Sequence, residues 1–451
     1  MTSNAAAMLL GLILSLATVS AVAAPPNVIV LLADDLRADA LACYGTRQVQ
    51  TPNIDALARR GTRFTHAHIM GSLQGAVCVP SRAMLLSGRS LFHISEKLEN
   101  PAHALLPEAM RKAGYRDYTV GKWHNGPASF ARVFHAGDAI FFGGMSDHRK
   151  TPLHAFSPTG KYNKARQYLG DGFSSELFAD AAVSFLKQAS HEKPFFLYVA
   201  FTSPHDPRTP PPEFADLYQA DDLELPTNFL PEHPFDNGEL KVRDEQLAPW
   251  PRTPEVIRQH LADYYGMVSH LDAQVGRILK ALDERGLAEN TLVVFAGDNG
   301  LAVGQHGLLG KQSLYEHSIR VPLILAGPAV PQDETSAALC YLLDVFPTLC
   351  DLTGIAIPAS VEGHSLVPAI QGKPGERQEL FAAYRHVQRM VKDSRWKLIE
   401  YPEAKVTQLF DLESDPAEIR NLAEKPEQRD RVAAMRVRLT ALQKELNDPI
   451  K

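Results

Sequence analysis

The sequence lacks the features that mark membrane, nucleic-acid-binding and disulfide-rich proteins. Its 46 Lys and Arg residues are outnumbered by 52 Asp and Glu, and the net charge of −6 gives no overall basic field for nucleic acid. Beyond residues 8–19, no stretch is long and apolar enough for a stable membrane span. The 451 residues include only four cysteines and no internal repeat or low-complexity segment. What remains is a chain with 45% apolar residues, enough for a large core and two structural units.

The N-terminal apolar run predicts export. Residues 8–19 are almost wholly apolar, and the small-residue pattern A-V-A at 21–23 resembles a cleavage site. The run is too short to span a bilayer, and no Lys or Arg precedes it. We therefore predict a secretory signal peptide over residues 1–24, and a periplasmic or secreted protein after its removal.

The strongest chemical signal is the stretch V-C-V-P-S-R-A-M-L-L-S-G-R at residues 77–89. Residues 81–86 contain neither Gly nor Pro and predict helical turns, which Gly88 would end. Cys78 then lies at or just before a helix N-terminus, where backbone N–H groups and the helix dipole favour an anion. Arg82, one turn later on the same face, would point a positive charge back toward Cys78. Taken alone, a buried cysteine is most often a small hydrophobic residue.

The alternation of strand and helix patterns predicts the fold class. Apolar, β-branched or aromatic runs predict buried strands at residues 27–32, 118–120, 195–201, 292–296 and 323–326. Helical patterns lie between them, most clearly at 51–60, 105–112 and 255–282. We therefore expect an α/β sandwich, with a mostly parallel central sheet between layers of helices.

From about residue 370 the pattern changes. Residues 391–401 and 407–412 predict a small antiparallel pair of strands. A terminal helix follows, with Val432, Met435 and Leu439 at helical spacing on one face. We predict a catalytic domain over residues 25–369 and a C-terminal α+β subdomain over residues 370–451.

Four predicted strands are followed by residues with useful chemistry. These are Asp34 and Asp35, Lys122 and His124 in G-K-W-H, His205 and Asp206 in S-P-H-D-P, and Asp298 and Asn299 in G-D-N-G, with Lys311 farther along. Ligand sites in open α/β sheets lie at the carboxyl ends of strands, so these positions fit one site. Each group also has an ordinary alternative when taken singly: the aspartates could cap a turn, Lys122 and His124 could be solvated surface, and D-N-G could be a turn.

Together with C-x-P-S-R and L-S-G-R, these motifs resemble the formylglycine-dependent (type I) sulfatases of the alkaline phosphatase superfamily. T-P-N-I-D-x-L-A-x-x-G from Thr51 and L-F-D-L from Leu409 extend the resemblance over about residues 27–422. The resemblance implies an alkaline-phosphatase-like sandwich and a bacterial sulfatase acting on glycans.

The resemblance also implies a modified nucleophile. Cys78 would be oxidised to formylglycine by a formylglycine-generating or an anaerobic sulfatase-maturating enzyme. One hydroxyl of the hydrated aldehyde would attack sulfur, and loss of the proton from the other would eject sulfate and regenerate the aldehyde. Conversion of Cys78 would leave Cys43, Cys340 and Cys350, an odd number, so we predict no structural disulfide framework.

The remaining motif residues acquire roles by the same resemblance. The implied metal ligands are Asp34, Asp35, Asp298 and Asn299, with the group formed from Cys78. Oxygen ligands of this kind suit Ca²⁺ ahead of Mg²⁺ and argue against zinc. Arg82, Lys122 and Lys311 would surround the sulfate with positive charge. His205 with Lys311 would protonate the leaving alcohol, and His124 would act on the remaining hydroxyl.

The segment from Arg132 to Arg166 suggests the substrate. It is rich in basic and aromatic residues, although the chain as a whole is acidic. This composition predicts a sulfated polyanionic carbohydrate, with His148, Arg149 and Asp206 as contacts. The alternative is a solvated loop with no role. Three other functions stay open: an arylsulfatase, a phosphate or phosphonate monoester hydrolase with the same metal cup, and a non-catalytic glycan-binding protein if Cys78 is unmodified.

Overall fold

The strand predicted at residues 27–32 lies in the middle of the main sheet of the computed structural model, which describes residues 24–450. It extends from Asn27 to Asp34 and is buried along its whole length. Its successive side chains enter two different cores, Val28 one and Ile29 the other. Burial on both faces explains why the strand is a continuous apolar run.

Most of the predicted strands and helices are present, with boundaries shifted by a few residues. The strands are β1 (Asn27–Asp34), β2 (Gly61–Phe64), β3 (Ala67–His68), β4 (Gly71–Ser72), β5 (Arg116–Lys122), β6 (Gly137–Phe141), β7 (Pro152–Leu153), β8 (Tyr168–Leu169), β9 (Phe195–Pro204), β10 (Thr291–Gly297), β11 (Leu323–Ala326), β12 (Glu334–Ser336), β13 (Cys340–Tyr341), β14 (Leu380–Tyr384), β15 (Gln388–Lys392), β16 (Trp396–Tyr401) and β17 (Val406–Asp411). The helices are α1 (Pro52–Arg59), α2 (Cys78–Ser87), α3 (Leu106–Lys112), α4 (Pro127–Val133), α5 (Ser174–Lys187), α6 (Pro212–Ala215), α7 (Pro254–Glu284), α8 (Glu316–Ile319), α9 (Val345–Thr353), α10 (Val367–Ile370) and α11 (Arg429–Glu445).

The main sheet confirms the predicted α/β sandwich. Its eight strands have the order β12-β2-β11-β10-β1-β9-β5-β6. The five strands from β10 to β6 are parallel, whereas β11 is antiparallel to both β10 and β2. The connection between β10 and β11, residues 298–322, contains one short helix, α8, and carries Asp298, Asn299 and Lys311. Helices α1, α5 and α7 pack on one face, and α2, α3, α4 and α9 on the other.

The C-terminal sheet is larger than predicted. It has five strands in the order β17-β16-β15-β14-β4, and its last strand comes from residues just ahead of α2. The expectation of a single strand over residues 391–401 is wrong. Asp393 Oδ1 accepts hydrogen bonds from the backbone N–H groups of Arg395 and Trp396, at 2.9 and 2.7 Å, and this local turn separates β15 from β16.

The terminal helix α11 packs as its apolar stripe predicted. Val432, Met435 and Leu439 are buried in a third core together with Met84 of α2. The domain boundary near residue 370 stays a prediction.

The structure bears on three further features of the chain: its N-terminus, its cysteines and its lack of a predicted membrane span. The predicted signal peptide lies outside the described residues, except for Ala24. All four cysteines are unpaired. Among residues 24–450, no helix has the length and apolar character needed to cross a membrane.

Candidate active site

Four adjacent parallel strands carry the predicted polar residues to one edge of the sheet. β1 ends at Asp34, β5 ends at Lys122, His205 directly follows β9, and Asp298 directly follows β10. Because these strands are neighbours in the order β10-β1-β9-β5, their carboxyl ends converge. The structure therefore brings together the residues of all four motifs, although their chemical roles stay predictions.

Cys78 lies beside this edge, as the first residue of α2. The helix ends at Gly88 with φ of 63°, a left-handed conformation that favours glycine. The Cys78 side chain is buried, and its Sγ lies 3.2 Å from Nδ1 of His124 and 3.8 Å from Nζ of Lys122. Burial raises the pKa of the Cys78 thiol. A neutral buried thiol is a poor nucleophile, so an unmodified Cys78 does not suit the predicted chemistry.

Arg82, one turn into α2, is fully buried and engaged by the strand ends. Its Nε donates to Oδ2 of Asp298 at 2.8 Å, and its Nη1 donates to the carbonyl of Lys122 at 2.9 Å. Its Nη2 lies 3.8 Å from Oδ2 of Asp34. The guanidinium thus ties α2 to three of the four strand ends.

The carboxylates form an acidic cup. Asp35 has a left-handed φ of 63°, and its Oδ1 accepts from Nζ of Lys311 at 2.6 Å and from Nδ2 of Asn299 at 2.8 Å. Burial, and then the neighbouring Asp34, raise the pKa of Asp298 to about 7. Burial would also raise the pKa of Asp34, but the nearby cations, Lys122 first, outweigh it and hold that pKa below its usual range.

This cup is a possible metal site. Ligand atoms of Asp34, Cys78 and Asp298 lie within 4.8 Å of one another. Oδ1 of Asp34 and Oδ1 of Asn299 are buried acceptors that have no hydrogen-bond donor among residues 24–450. A cation would satisfy such oxygens, and a carboxylate and amide donor set suits a hard divalent ion. The residues present therefore fit Ca²⁺ or Mg²⁺.

The two lysines are fixed by different partners. Lys122 Nζ contacts Asp34 and donates to the carbonyl of Gly144 at 2.5 Å. Burial lowers the pKa of Lys311, but the carboxylate of Asp35 outweighs it and raises that pKa well above its usual value. Lys311 therefore stays a cation at the mouth of the cup.

His205 is held from two sides. Its Nδ1 lies 2.8 Å from the backbone carbonyl of Asp206 and 3.2 Å from Oδ1 of the same residue. Its Nε2 lies 3.6 Å from Oδ2 of Asp35. His148 fixes the backbone at this point, because its Nε2 lies 2.9 Å from the carbonyl of His205.

The structure argues against His148 as a substrate contact. His148 is 1% exposed, and both ring nitrogens are occupied, by the His205 carbonyl and by Oγ of Ser174. The carboxylate of Asp206 accepts from both terminal nitrogens of Arg243, and its role as a substrate contact stays a prediction. Arg149 is exposed and lies over the ring of Phe173, with 6.0 Å from its guanidinium carbon to the ring centroid, so its role stays a prediction.

The aromatic residues of the 132–166 segment do not form open platforms. Phe134, Phe142, Phe156 and Tyr162 all contact Phe130, at ring-centroid distances of 5.3 to 6.3 Å. Arg132 pairs with Glu108 at 2.8 Å. These rings therefore pack on one another: Phe134 is buried in the core, and Phe142, Phe156 and Tyr162 are partly buried against it, which composition cannot reveal.

Residues 242–244 complete the site, and no motif identified them. This segment lines a cleft of about 300 Å³ above Cys78, His124, His205 and Lys311. Arg243 pairs with Asp206 and Asp244, and Oδ2 of Asp244 accepts from Gln312 Nε2 at 2.9 Å. The only available signal was the charged run R-D-E after Val242, which is indistinguishable in sequence from solvated surface.

Comparisons with known proteins agree over almost the whole chain. Residues 26–355 match the family model described as Sulfatase, and residues 304–445 match one described as N-sulphoglucosamine sulphohydrolase, C-terminal. The chain is 26% identical to an N-acetylglucosamine-6-O-sulfatase of Bacteroides thetaiotaomicron, over 94% of this chain and 87% of that protein. It is 30% identical to a choline-sulfatase of Rhizobium meliloti, over 89% and 83%.

A solved structure shares the fold. It is a complex of a protein with its substrate, D-glucosamine-2-N,6-O-disulfate, and it superposes with a TM-score of 0.78 at 23% identity. The match covers 94% of this chain and 98% of the other.

Proposed function

Since this chain belongs to the sulfatase family, we propose that it removes sulfate from a sulfated carbohydrate, using a formylglycine made from Cys78 and a bound Ca²⁺. Membership makes it a sulfuric ester hydrolase. The observation that carries the finer proposal is the position of Cys78, which opens α2 directly beside the buried carboxylates of Asp34 and Asp298 and beside Lys122. The sugar sulfates named for one relative and one structural neighbour support a carbohydrate substrate.

Two groups would complete the site. When Cys78 has been converted, its hydrated aldehyde supplies a nucleophilic hydroxyl in place of a thiol. Asp34, Asp35, Asp298 and Asn299 would hold the Ca²⁺, which supplies positive charge against the sulfate. With three carboxylates already balanced by Arg82, Lys122 and Lys311, a divalent ion would leave the cup positive enough for an anionic ester.

His124 is a proton acceptor within hydrogen-bond distance of position 78. Burial, reinforced by Lys122, lowers the pKa of His124 to about 2, so the ring is neutral at physiological pH. A neutral imidazole can take a proton, and its Nδ1 lies only 3.2 Å from Sγ of Cys78. Gly144 fixes the other side of this ring, because a Cβ at Gly144 would lie 2.7 Å from Nε2 of His124.

His205 and Lys311 are the donors for the leaving alcohol. The Asp206 carbonyl, 2.8 Å away, accepts the Nδ1 proton of His205 and leaves Nε2 facing Asp35 and the cup. Lys311 remains protonated beside Asp35 and lines the same cleft. A proton delivered from either residue would neutralise the alkoxide as the ester bond breaks.

Export and a wider substrate contact complete the proposal. Sulfated polysaccharides occur outside the cytoplasm, which agrees with the predicted signal peptide. Arg149, exposed beside Phe173, would contact a part of the glycan beyond the cleft.

The test has two parts. Sulfate and phosphate release are measured with an aryl sulfate, the matching aryl phosphate and a panel of sulfated mono- and oligosaccharides. The mass of the peptide containing residue 78 is measured on the same preparation. We expect sulfate release, little phosphate release, and a peptide in which one oxygen has replaced one sulfur and two hydrogens.

Three results would contradict the proposal. Faster turnover of the aryl phosphate would indicate a phosphate or phosphonate monoester hydrolase. Activity on the aryl sulfate alone would refute the proposal that the substrate is a carbohydrate. An unmodified Cys78 peptide in a fully active preparation would show that the activity does not need formylglycine.

A further inference from the structure

Arg243 and Asp244 line the same cleft as Cys78, and together with Asp206, which pairs with Arg243, they form a group of three charged side chains that we call the rim triad. Arg243 Nη2 donates to Oδ1 of Asp206 at 2.9 Å and to Asp244 as well. Two carboxylates therefore share one guanidinium, and the triad carries a net charge of −1.

Both acids are held in place and ionised. Their side chains are only 8% and 10% exposed, while that of Arg243 is 46% exposed. Burial would raise the pKa of Asp206, but the hydrogen bond from Arg243 outweighs it and lowers that pKa to about 2. The triad is thus a rigid acidic element, with a half-exposed guanidinium at its centre.

The cleft has charged side chains of both signs. Near Cys78, the Nζ of Lys122 lies 3.8 Å from Sγ, and Lys311 lines the cleft itself. At the rim, Asp244 and Asp206 add negative charge, and among residues 24–450 the Nε of Arg243 makes no hydrogen bond. The remaining rim surface is apolar, including Met145 and Val242.

We propose that the rim triad selects the alcohol part of the ester: a neutral sugar ring whose hydroxyl groups bind Arg243 and Asp244, with no second anionic group next to the sulfate. This inference rests on the proposed sulfatase activity and narrows its substrate. Guanidinium and carboxylate groups side by side can donate to and accept from neighbouring hydroxyls. A second sulfate on the same ring would meet like charge in a partly buried setting.

A quaternary ammonium alcohol fits this rim less well. The negative charge of the rim suits a cation, but among residues 24–450 no Trp, Tyr or Phe lines the cleft. Aromatic faces are the usual means of binding such cations, so the triad favours a polyol.

The test compares matched substrate pairs. Turnover is measured for monosulfated hexoses and N-acetylhexosamines, each beside the same sugar with a second sulfate, including N-acetylglucosamine 6-sulfate against D-glucosamine-2-N,6-O-disulfate. Choline sulfate and an aryl sulfate complete the set. We expect kcat/KM for the best monosulfated sugar to exceed that of its disulfated partner and of choline sulfate by about tenfold or more, the effect of one weakly screened like charge.

Asp244→Asn is the informative variant, because it keeps the shape and removes one charge. We expect it to reduce the preference for the monosulfated sugar by about threefold or more, through faster turnover of the disulfated partner. Asp283→Asn is the matched control: it removes an exposed charge at the end of α7, at the opposite edge of the sheet, and should leave the preference unchanged.

The outcomes separate this inference from the proposed function. Equal or faster turnover of disulfated sugars, or of choline sulfate, would overturn the inference and leave the sulfatase activity intact. Turnover of the aryl sulfate with no sulfated sugar cleaved would overturn both the inference and the carbohydrate substrate. If Asp244→Asn does not fold, the preference of the wild-type protein for monosulfated over disulfated sugars still tests the inference.

Discussion

The loop that carries Lys311 is held by one buried carboxylate, which makes Glu245→Gln a sharp test of how the fold positions the site. Glu245 accepts from the backbone N–H of Leu309 at 3.0 Å and from that of Gly310 at 2.8 Å. It also accepts from Nη2 of Arg252 at 2.9 Å, and both side chains are at most 4% exposed. The glutamine keeps the shape but leaves the Arg252 guanidinium buried without a counter-charge.

The expected loss of stability is large. Breaking a buried ion pair from one side costs about 3–5 kcal/mol. For a chain of this length the unfolding entropy near Tm is about 0.9 kcal/mol/K, so Tm should fall by about 3–6 °C. Burial raises the pKa of Glu245 and lowers that of Arg252, so each charge costs free energy to bury.

Because each of these buried charges costs free energy, a double variant that removes both of them is informative about the ion pair. Glu245→Gln with Arg252→Met removes both charges, and Met retains apolar contact where the guanidinium lies 3.7 Å from the Trp250 ring. The double variant should therefore be less destabilised than the sum of the two single variants, by about 1 kcal/mol or more.

Activity should respond along with stability. A displacement of Lys311 by about 1 Å could reduce kcat about 100-fold. Thermal unfolding and kcat/KM on an aryl sulfate are measured for the wild type, both single variants and the double variant. Glu245→Gln with wild-type Tm and wild-type kcat would refute the reasoning, because the carboxylate would then hold neither the loop nor Arg252.

Other predictions follow from the cup, from His124 and from a remote histidine. Removal of the metal ion by chelation should lower both activity and Tm, and Tm should fall by about 3 °C if the ion was present at 100 times its Kd. Asp298→Ala should lower activity and Tm more than Asn299→Ala does. Full activity and an unchanged Tm in a sample shown to be metal-free by elemental analysis would contradict this prediction. Gly144→Ala should reduce kcat about 10-fold or more by displacing the His124 ring, with Tm within about 2 °C of wild type; an unchanged kcat would contradict it. Burial lowers the pKa of His306 to about 3 in the folded protein. Just below pH 6.5 the His306 side chain is therefore protonated in the unfolded chain but not in the folded one. The free energy of unfolding should fall by up to about 1.4 kcal/mol per pH unit as the pH is lowered from 6.5. His306→Asn, which tolerates the left-handed φ of 53°, should reduce that slope in Tm against pH, and an unchanged slope would contradict it.

The sequence predicted the convergence of the site because strand ends obey a simple rule. Asp34, Lys122, His205 and Asp298 each follow an apolar run, and parallel strands place such residues at one edge. The rule does not depend on contacts between distant residues, so it can be applied before the fold is known.

The parts that sequence reasoning missed depend on long-range contacts. Arg243 and Asp244 matter because they meet Asp206 and Gln312, and nothing in R-D-E distinguishes that pairing from hydration. His148 was predicted to contact the substrate, yet it is buried and lies against the His205 backbone. Composition cannot tell a basic, aromatic loop that binds ligand from one that packs on itself, as the contacts with Phe130 show.

The most direct test of the account is inorganic sulfate release from an aryl sulfate by wild-type protein and by Cys78→Ala. The substitution removes the thiol that is needed to convert Cβ of residue 78 into the aldehyde, while α2 and its buried Arg82 remain. The account predicts that sulfate release falls to background in a protein that keeps its Tm within about 2 °C, the shift expected of a mild substitution. Substantial sulfate release by folded Cys78→Ala would contradict it.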